Sequence, residues 1–353
     1  MQKATEANAM IVKQGWKNPT LTAAGLYYPF GPCQICLQRW RIGHVLQLLP
    51  DVFRKLSLEA DYHEKPISVV CCSLEQVKLG ISIFTSPDDK DKIIIDIEHR
   101  GGDVATYHTY ASQVKGSLLG HHEVGALHTY PRLDYTVRRI VADDPSEPDV
   151  LEALGIAWSM ITTGRYDAQC LGFETLIHMT NIKNGILVAR TVSKSLLEPK
   201  DKVQEDLART IFEYAFHAPA LEQKESHHAS TISCADDETE ENLAYLALVT
   251  LTQVLEVVPN NKGNDVHAFL HRGETEILQG LIGRLRMAYA HPHQAYHAAR
   301  SLAALCNSIP MLLNELCEHV VREAEMVGNS CHMALSVASH ELLLLLQTCK
   351  RGL

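Results

Sequence analysis

From Val150 onward the chain reads as short amphipathic helices laid end to end, and this pattern narrows the possible folds more than any other feature. Apolar residues recur at helical spacing over 150–163, 166–180, 184–197, 201–216, 239–258, 274–290, 293–307, 310–326 and 330–349. The breaks fall at Gly164, Asn181, Pro199, Pro259 with Asn260 and Asn261, Pro292, Pro310 and Gly328, which are ordinary stop and restart signals. One segment is echoed. Tyr166–Leu187, with Leu176, Thr180, Asn181 and a restart at Leu187, lines up with Pro292–Leu313 at an offset of 126 residues, where Leu302, Cys306, Asn307 and Leu313 fall in register. A helix with one apolar stripe must bury it against a neighbour. A row of them stacks into an array, which is a surface for holding something rather than a reaction centre.

The length of 353 residues exceeds what one hydrophobic core organises, so two folding units or one elongated array are expected. Aromatic residues make up 6% of the chain, which suits helix packing through small side chains better than a β-sandwich. The net charge of −10 and the lack of any basic tract argue against nucleic-acid binding, which draws its affinity from clustered Lys and Arg. Ten cysteines, mostly scattered singly, fit a reduced compartment. Met1–Pro19 lacks the basic-then-apolar order of a secretory signal. No apolar run reaches the ~18–20 residues of a membrane span, so a cytoplasmic or nuclear protein is expected.

Ahead of the helices the pattern differs. Residues 1–32 are punctuated by Gly15, Pro19, Gly25, Pro29, Gly31 and Pro32 and read as an irregular, mobile N-terminal arm. From Ile35, apolar residues at Leu37, Trp40, Ile42, Val45, Leu46 and Leu49, then Val52, Phe53 and Leu56, predict two helices meeting at Pro50. Three β-like runs follow at Ile67–Cys72, Val77–Phe84 and Lys92–His99. In the second, Val77, Leu79, Ile81 and Ile83 alternate with Lys78, Gly80 and Ser82, the period of a strand with one buried face. The polar turn from Ser86 to Asp91 makes the last two runs an antiparallel hairpin. Asp103 is a suitable N-cap for a covering helix with Tyr107, Tyr110, Ala111, Val114 and Leu118 on one face. A small α/β domain over 33–120 follows, then a linker at 121–149 with a short strand at Tyr135–Val141.

The run Ile93-Ile94-Ile95-Asp96-Ile97-Glu98-His99-Arg100-Gly101-Gly102-Asp103 followed by Tyr107 resembles the closing strand, turn and aromatic-bearing helix of kinase-associated C-terminal domains, the KA1 type. The resemblance implies docking on a kinase domain or contact with anionic lipid. Residues 60–120 carry six Lys/Arg against nine Asp/Glu, a balance that an anionic leaflet repels. The shape is therefore carried over and not the lipid binding. The helices of 150–349 resemble armadillo and HEAT repeats, whose units of about 42 residues fit the echo three times. An irregular helical bundle is the other reading. Pro219–Glu238, polar and acidic, reads as a disordered insertion within the array. The expected fold class is an α+β N-terminal domain of helix, antiparallel strands and covering helix, followed by an all-α armadillo-like superhelix.

Candidate chemistry is sparse. Cys33 and Cys36 bracket two residues after Gly31-Pro32, where a helix N-terminus could activate the first thiol. A zinc site needs two further ligands at matching spacing, and none is present. Structural, metal and redox roles stay open, the structural one being the ordinary case. His291, His293 and His297 cluster with Arg300, and positions 293, 297 and 300 share one helical face as a cationic strip. Their counterparts in the echo are Asp167, Leu171 and Glu174, so the strip changes sign between copies. Either the face is simply solvated or it is tuned to a partner. Gly101-Gly102 marks a tight strand-to-helix turn, and no nucleophile-elbow motif is present. The expected function is a non-catalytic, cofactor-free protein-binding scaffold whose groove uses Asp167, Glu174, His293, His297 and Arg300. The alternatives are a regulatory module of a signalling enzyme acting through the α/β domain, and thiol or zinc chemistry at Cys33/Cys36.

Overall fold

The structure, a computed structural model, describes residues 15–16, 19–25, 28, 33–120, 146–216, 234–257, 274–309 and 316–352. The chain divides into two compact units, one of residues 1–133 with 324–337 and one of residues 134–323 with 338–353. An N-terminal antiparallel sheet is thus followed by a mostly helical region.

In the first unit the strands are β1 (Thr22–Ala23), β2 (Cys33–Gln38), β3 (Glu59–Glu64), β4 (Ile67–Cys72), β5 (Lys78–Thr85) and β6 (Lys92–Gly101). Their order is β2-β6-β5-β4-β3, every neighbour antiparallel, with β1 running parallel beside the end of β5. The expected hairpin is β5–β6, and the alternating residues Leu79, Ile81, Ile83, Ile93, Ile95 and Ile97 are all 0% exposed. Helices α1 (Ile42–Leu56) and α2 (Val104–Leu119) complete this core. Asp103 caps α2 as expected, its carboxylate accepting from Thr106 N–H at 2.7 Å. Tyr107 Oη donates to the Ile97 carbonyl at 2.8 Å, which ties the helix to the sheet.

Two expectations for this region are corrected. Cys33–Gln38 is a strand, because Ile35 and Leu37 turn inward while Gln34, Cys36 and Gln38 turn outward. Trp40, which had completed the helical spacing, is 79% exposed and belongs to no buried stripe. The helix that follows is one helix with Pro50 inside it. Its buried residues Val45, Leu49, Val52, Phe53 and Leu56 keep register across the proline. An interior proline costs ~3 kcal/mol, whereas burying each such side chain contributes ~1.5–3 kcal/mol, so the stripe outweighs the break. The N-terminal arm is also anchored at its described residues. Trp16 Nε1 donates to the carbonyls of His63 and Ser68, Thr20 N–H to that of Glu64, and Tyr28 Oη to Glu98 at 2.7 Å.

Residues 324–337 belong to this unit although they lie far along the chain. They span the end of one helix, Glu318–Cys331, and the start of the last, Met333–Gly352. Ser57, wholly buried with φ of 55°, closes α1 and accepts a hydrogen bond from Ala334 N–H at 2.8 Å. The break expected at Gly328 is not there, since the helix runs on to Cys331. Gly328 instead permits close approach: a Cβ on it would lie 2.3 Å from the Ser336 nitrogen.

The second unit contains α3 (Glu147–Ile161), α4 (Tyr166–Thr180), α5 (Ile186–Leu197), α6 (Lys202–Phe216), α7 (Cys234–Val257), α8 (Glu274–Arg286) and α9 (Pro292–Ser308). The two helices already described, Glu318–Cys331 and Met333–Gly352, are α10 and α11, and α11 contributes its residues from Ala338 onward. Ser146 and Asp149 form a capping box that starts α3. Helix α7 is the hub, packing on α4, α5, α6 and α9. It begins at Cys234, inside the stretch expected to be a disordered insertion. The remainder of that insertion, the strand expected at Tyr135–Val141 and the helix start expected at 310 lie outside the described residues.

Gly102 sits between β6 and α2 at φ 86°, where a Cβ would approach the Gln76 carbonyl oxygen to 2.7 Å. Gly101 beside it has nothing within 4 Å of the same atom. Gly102→Ala is expected to destabilise the first unit by about 2–4 kcal/mol in urea unfolding followed by tryptophan fluorescence, with Gly101→Ala costing less than half as much.

Candidate functional site: a polar seam and the cleft beside it

Helix α7 is acidic and polar over residues 236–242 and mostly apolar from Leu243 onward, and along it Glu241, Tyr245, Thr252 and Glu256 repeat on one line at intervals of four and seven residues. That line faces α9. At its first end the Glu241 carboxylate lies 2.6 Å from His291 Nδ1. This contact, ahead of the opposing burial effect, holds the Glu241 carboxyl below its ordinary range. Next, Tyr245 Oη lies 3.3 Å from His297 Nε2. Thr252 Oγ1 lies 2.9 Å from Ser301 Oγ and 3.3 Å from the His297 carbonyl. At the far end Arg300 Nε donates to Glu256 Oε1 at 2.6 Å, Arg300 Nη2 reaches the second carboxylate oxygen, and Nη1 donates to Tyr296 Oη at 3.0 Å. Arg284 of α8 joins the network, donating to Gln294 Oε1 at 2.6 Å and to the Ala215 carbonyl.

The Arg300 end opens into a cleft of ≈ 230 Å³. Its polar rim is Glu256, Arg300, Asn307 and Glu341, and alanines at 303, 304 and 338 form much of its floor. All of these residues lie in the second unit.

The structure brings together only part of the predicted set. His293, His297 and Arg300 share one face of α9, but His293 is 2% and His297 6% exposed. That face looks into the seam and not onto open surface. Nor is it a cationic strip: burial, and then the nearby Arg300 and His293, push His297 well below the ordinary histidine range, so it is neutral at pH 7. His297 Nδ1 has no hydrogen-bond partner among the described residues. Asp167 and Glu174 lie on α4, both exposed, with Asp167 paired to Arg165 at 2.8 Å. Leu171 between them is 52% exposed. The echoed positions therefore differ in burial as well as in sign, since α7 covers the face on α9 and leaves the matching one on α4 open.

Cys33 and Cys36 sit on opposite faces of β2, Cys33 toward the core side and Cys36 exposed. Two thiols facing opposite ways along a strand do not converge on a metal or close a redox pair. The helix N-terminus that would have activated Cys33 is absent, because the residue lies in a strand. Elsewhere burial pushes the Cys72 thiol up to about 12 and Cys71 higher still. Among the described residues no group of three or more His, Cys, Asp or Glu side chains is placed to hold a metal ion, and no helix is long and apolar enough to cross a membrane. Sequence reasoning missed Tyr245, Thr252, Glu256 and Glu341. The first three could have been found as a polar line at helical spacing within the mostly apolar stretch 243–257.

No protein family, curated protein or solved structure matches this chain.

Because His297 is neutral when folded and protonates more readily when unfolded, falling pH favours the unfolded chain. Stability is expected to be complete above the ordinary histidine value of 6.5 and to drop as pH falls below it toward the depressed folded value. Urea unfolding of the second unit should lose up to about 1.4 kcal/mol per pH unit in that window from this residue. His297→Gln should flatten the slope there.

Proposed function

We propose that the helical unit is an armadillo-like array that binds a protein segment without catalysing a reaction, and that the cleft beside Arg300 receives one side chain of that segment. The cleft carries the reading. At ≈ 230 Å³ it is smaller than the ~300–1,000 Å³ of sites built for cofactors and drug-sized ligands, and it suits a single long side chain. The alanine floor accepts an aliphatic stem. At the rim, Glu256 is already engaged by Arg300, whereas Glu341 is exposed and joined by no ion pair among the described residues. A lysine or arginine of the partner, with its stem on the alanines and its cation against Glu341, satisfies both halves of the site.

Of the residues first assigned to a groove, Arg300 stays in this role as the group that holds Glu256 in place. His293 and His297 act from beneath, through the seam. Asp167 and Glu174 form a separate exposed face on α4, available for further contact along the array. The α/β unit supports the likeness to kinase-associated domains in its order of helix, strands and covering helix, and departs from the expectation by placing β2 before the first helix.

A photo-crosslinking residue at position 307 tests this reading in extracts of the native cells. One partner protein should be captured, with the adduct mapping next to a lysine or arginine. Filling the cleft by Ala304→Trp should lower that adduct at least about tenfold, and Glu341→Gln about threefold, with the circular-dichroism melting curve preserved. An adduct equal in both variants, or mapping away from any basic residue, would contradict the reading.

A further inference from the structure

Helix α5 and the turn before it carry a surface that the cleft does not use. Ile182, Ile186 and Leu187 are 45%, 46% and 51% exposed. Single exposed apolar residues are ordinary on protein surfaces, but three between positions 182 and 187 make a local apolar patch. Beside them Lys183, Arg190 and Lys194 are all exposed. Within α5, Leu187, Arg190 and Lys194 follow at intervals of three and four, so they form one line opposite the buried Ala189, Val192 and Leu196.

These cations differ from most others in the unit. Arg165, Lys200, Arg209, Arg300 and Arg322 each pair with a carboxylate, and Arg284 bonds a carbonyl and Gln294. Among the described residues no carboxylate pairs with Lys183, Arg190 or Lys194. Lys202 and Arg286 likewise have no carboxylate partner among the described residues, but Lys183, Arg190 and Lys194 lie together on α5 and the turn before it, in a chain of net charge −10.

The patch is also held in shape. Asn184 donates through Nδ2 to the His178 carbonyl at 3.0 Å, its N–H bonds the Asn181 carbonyl at 2.9 Å, and Lys183 N–H bonds Asn181 Oδ1 at 3.0 Å. The turn that presents Ile182 and Lys183 is thus fixed before any partner arrives, which lowers the entropic cost of binding.

We infer that this strip is a docking site for an acidic, partly apolar protein segment, with two or three aliphatic side chains against Ile182, Ile186 and Leu187 and carboxylates against Lys183, Arg190 and Lys194. The 12 residues of α5 give a contact about 18 Å long, the span of a short helix or extended peptide. An anionic membrane shares the charge logic but fits less well. Polybasic membrane contacts draw on ~4–8 cations, three are present, and the chain's net negative charge opposes approach to an anionic surface. The inference is independent of the cleft, which takes a cationic group at a different place.

A random peptide library displayed on phage tests it, panned on the immobilised full chain and counter-selected on the Lys183→Ser/Arg190→Ser/Lys194→Ser variant. Because all three positions are exposed, the variant should melt as the wild type does. Enriched peptides should carry at least two Asp or Glu beside an aliphatic pair. One such peptide, made synthetically, should bind the wild type at least about tenfold more tightly than the variant, weaken with added salt, and weaken again with Ile182→Ser/Leu187→Ser. It should bind Ala304→Trp undiminished, which separates this site from the cleft. Failure to enrich any peptide over the variant, enrichment of peptides without acidic residues, or co-sedimentation with phosphatidylserine vesicles that the triple substitution abolishes would overturn it.

Discussion

The packing of α7 against α9 is the constraint on which the helical unit depends. An apolar interface alone tolerates sliding, because one aliphatic contact substitutes for another. Tyr245, Thr252 and Ser301 remove that freedom. Each is a buried polar group with a hydrogen-bond contact across this interface, Thr252 also donating to the Leu248 carbonyl of its own helix. A buried donor or acceptor left unpaired costs ~1–3 kcal/mol, so moving α9 by one turn would lose several such contacts together and also separate Glu256 from Arg300. The seam therefore sets the register, and the register puts Arg300 and Asn307 at the mouth of the cleft. The Nδ1 of His297, without a hydrogen-bond partner among the described residues, is a cost of this arrangement.

The same hub explains why an echo in sequence does not give an echo in surface. Positions 167, 171 and 174 match 293, 297 and 300, and the helical spacing correctly puts each trio on one face. What the face looks at is decided by which neighbour comes to lie on it, and α7 lies over the α9 trio alone. Amphipathic period thus made the helices legible, including α4 over Tyr166–Thr180, and made the β5–β6 hairpin and the Asp103 cap legible. It did not separate a cationic strip from a buried histidine line. That distinction resides in contacts between residues some fifty positions apart, such as Tyr245 with His297.

Short elements failed for a related reason. Six residues of β2 contain only two inward side chains, Ile35 and Leu37, and adding the exposed Trp40 was enough to imitate a helical repeat. β3 alternates only weakly, Ala60 and Tyr62 half-buried against the exposed Asp61 and His63, because none of its residues is fully buried. The largest departure is at the far end of the chain. Nothing local in Ala324–Val337 distinguishes it from the preceding helices, yet Ser57 at the end of α1 needs a donor, and Ala334 provides it. Gly328 is what admits the close helix crossing there, by leaving out a Cβ that would meet backbone. A glycine that reads as a stop signal can equally be a point of contact.

The seam's register can be trapped covalently. Thr252 and Ser301 place their side-chain oxygens 2.9 Å apart, so Thr252→Cys with Ser301→Cys brings two sulfurs within reach of a disulfide. The most direct test is mild oxidation of this double variant, compared with Thr252→Cys paired with Leu305→Cys, one turn further along α9, and read by peptide mass spectrometry. A 252–301 crosslink is expected in the first protein and none between 252 and 305 in the second. A crosslink between 252 and 305, or equal crosslinking of both pairs, would contradict a fixed register and with it the placement of Arg300 at the cleft.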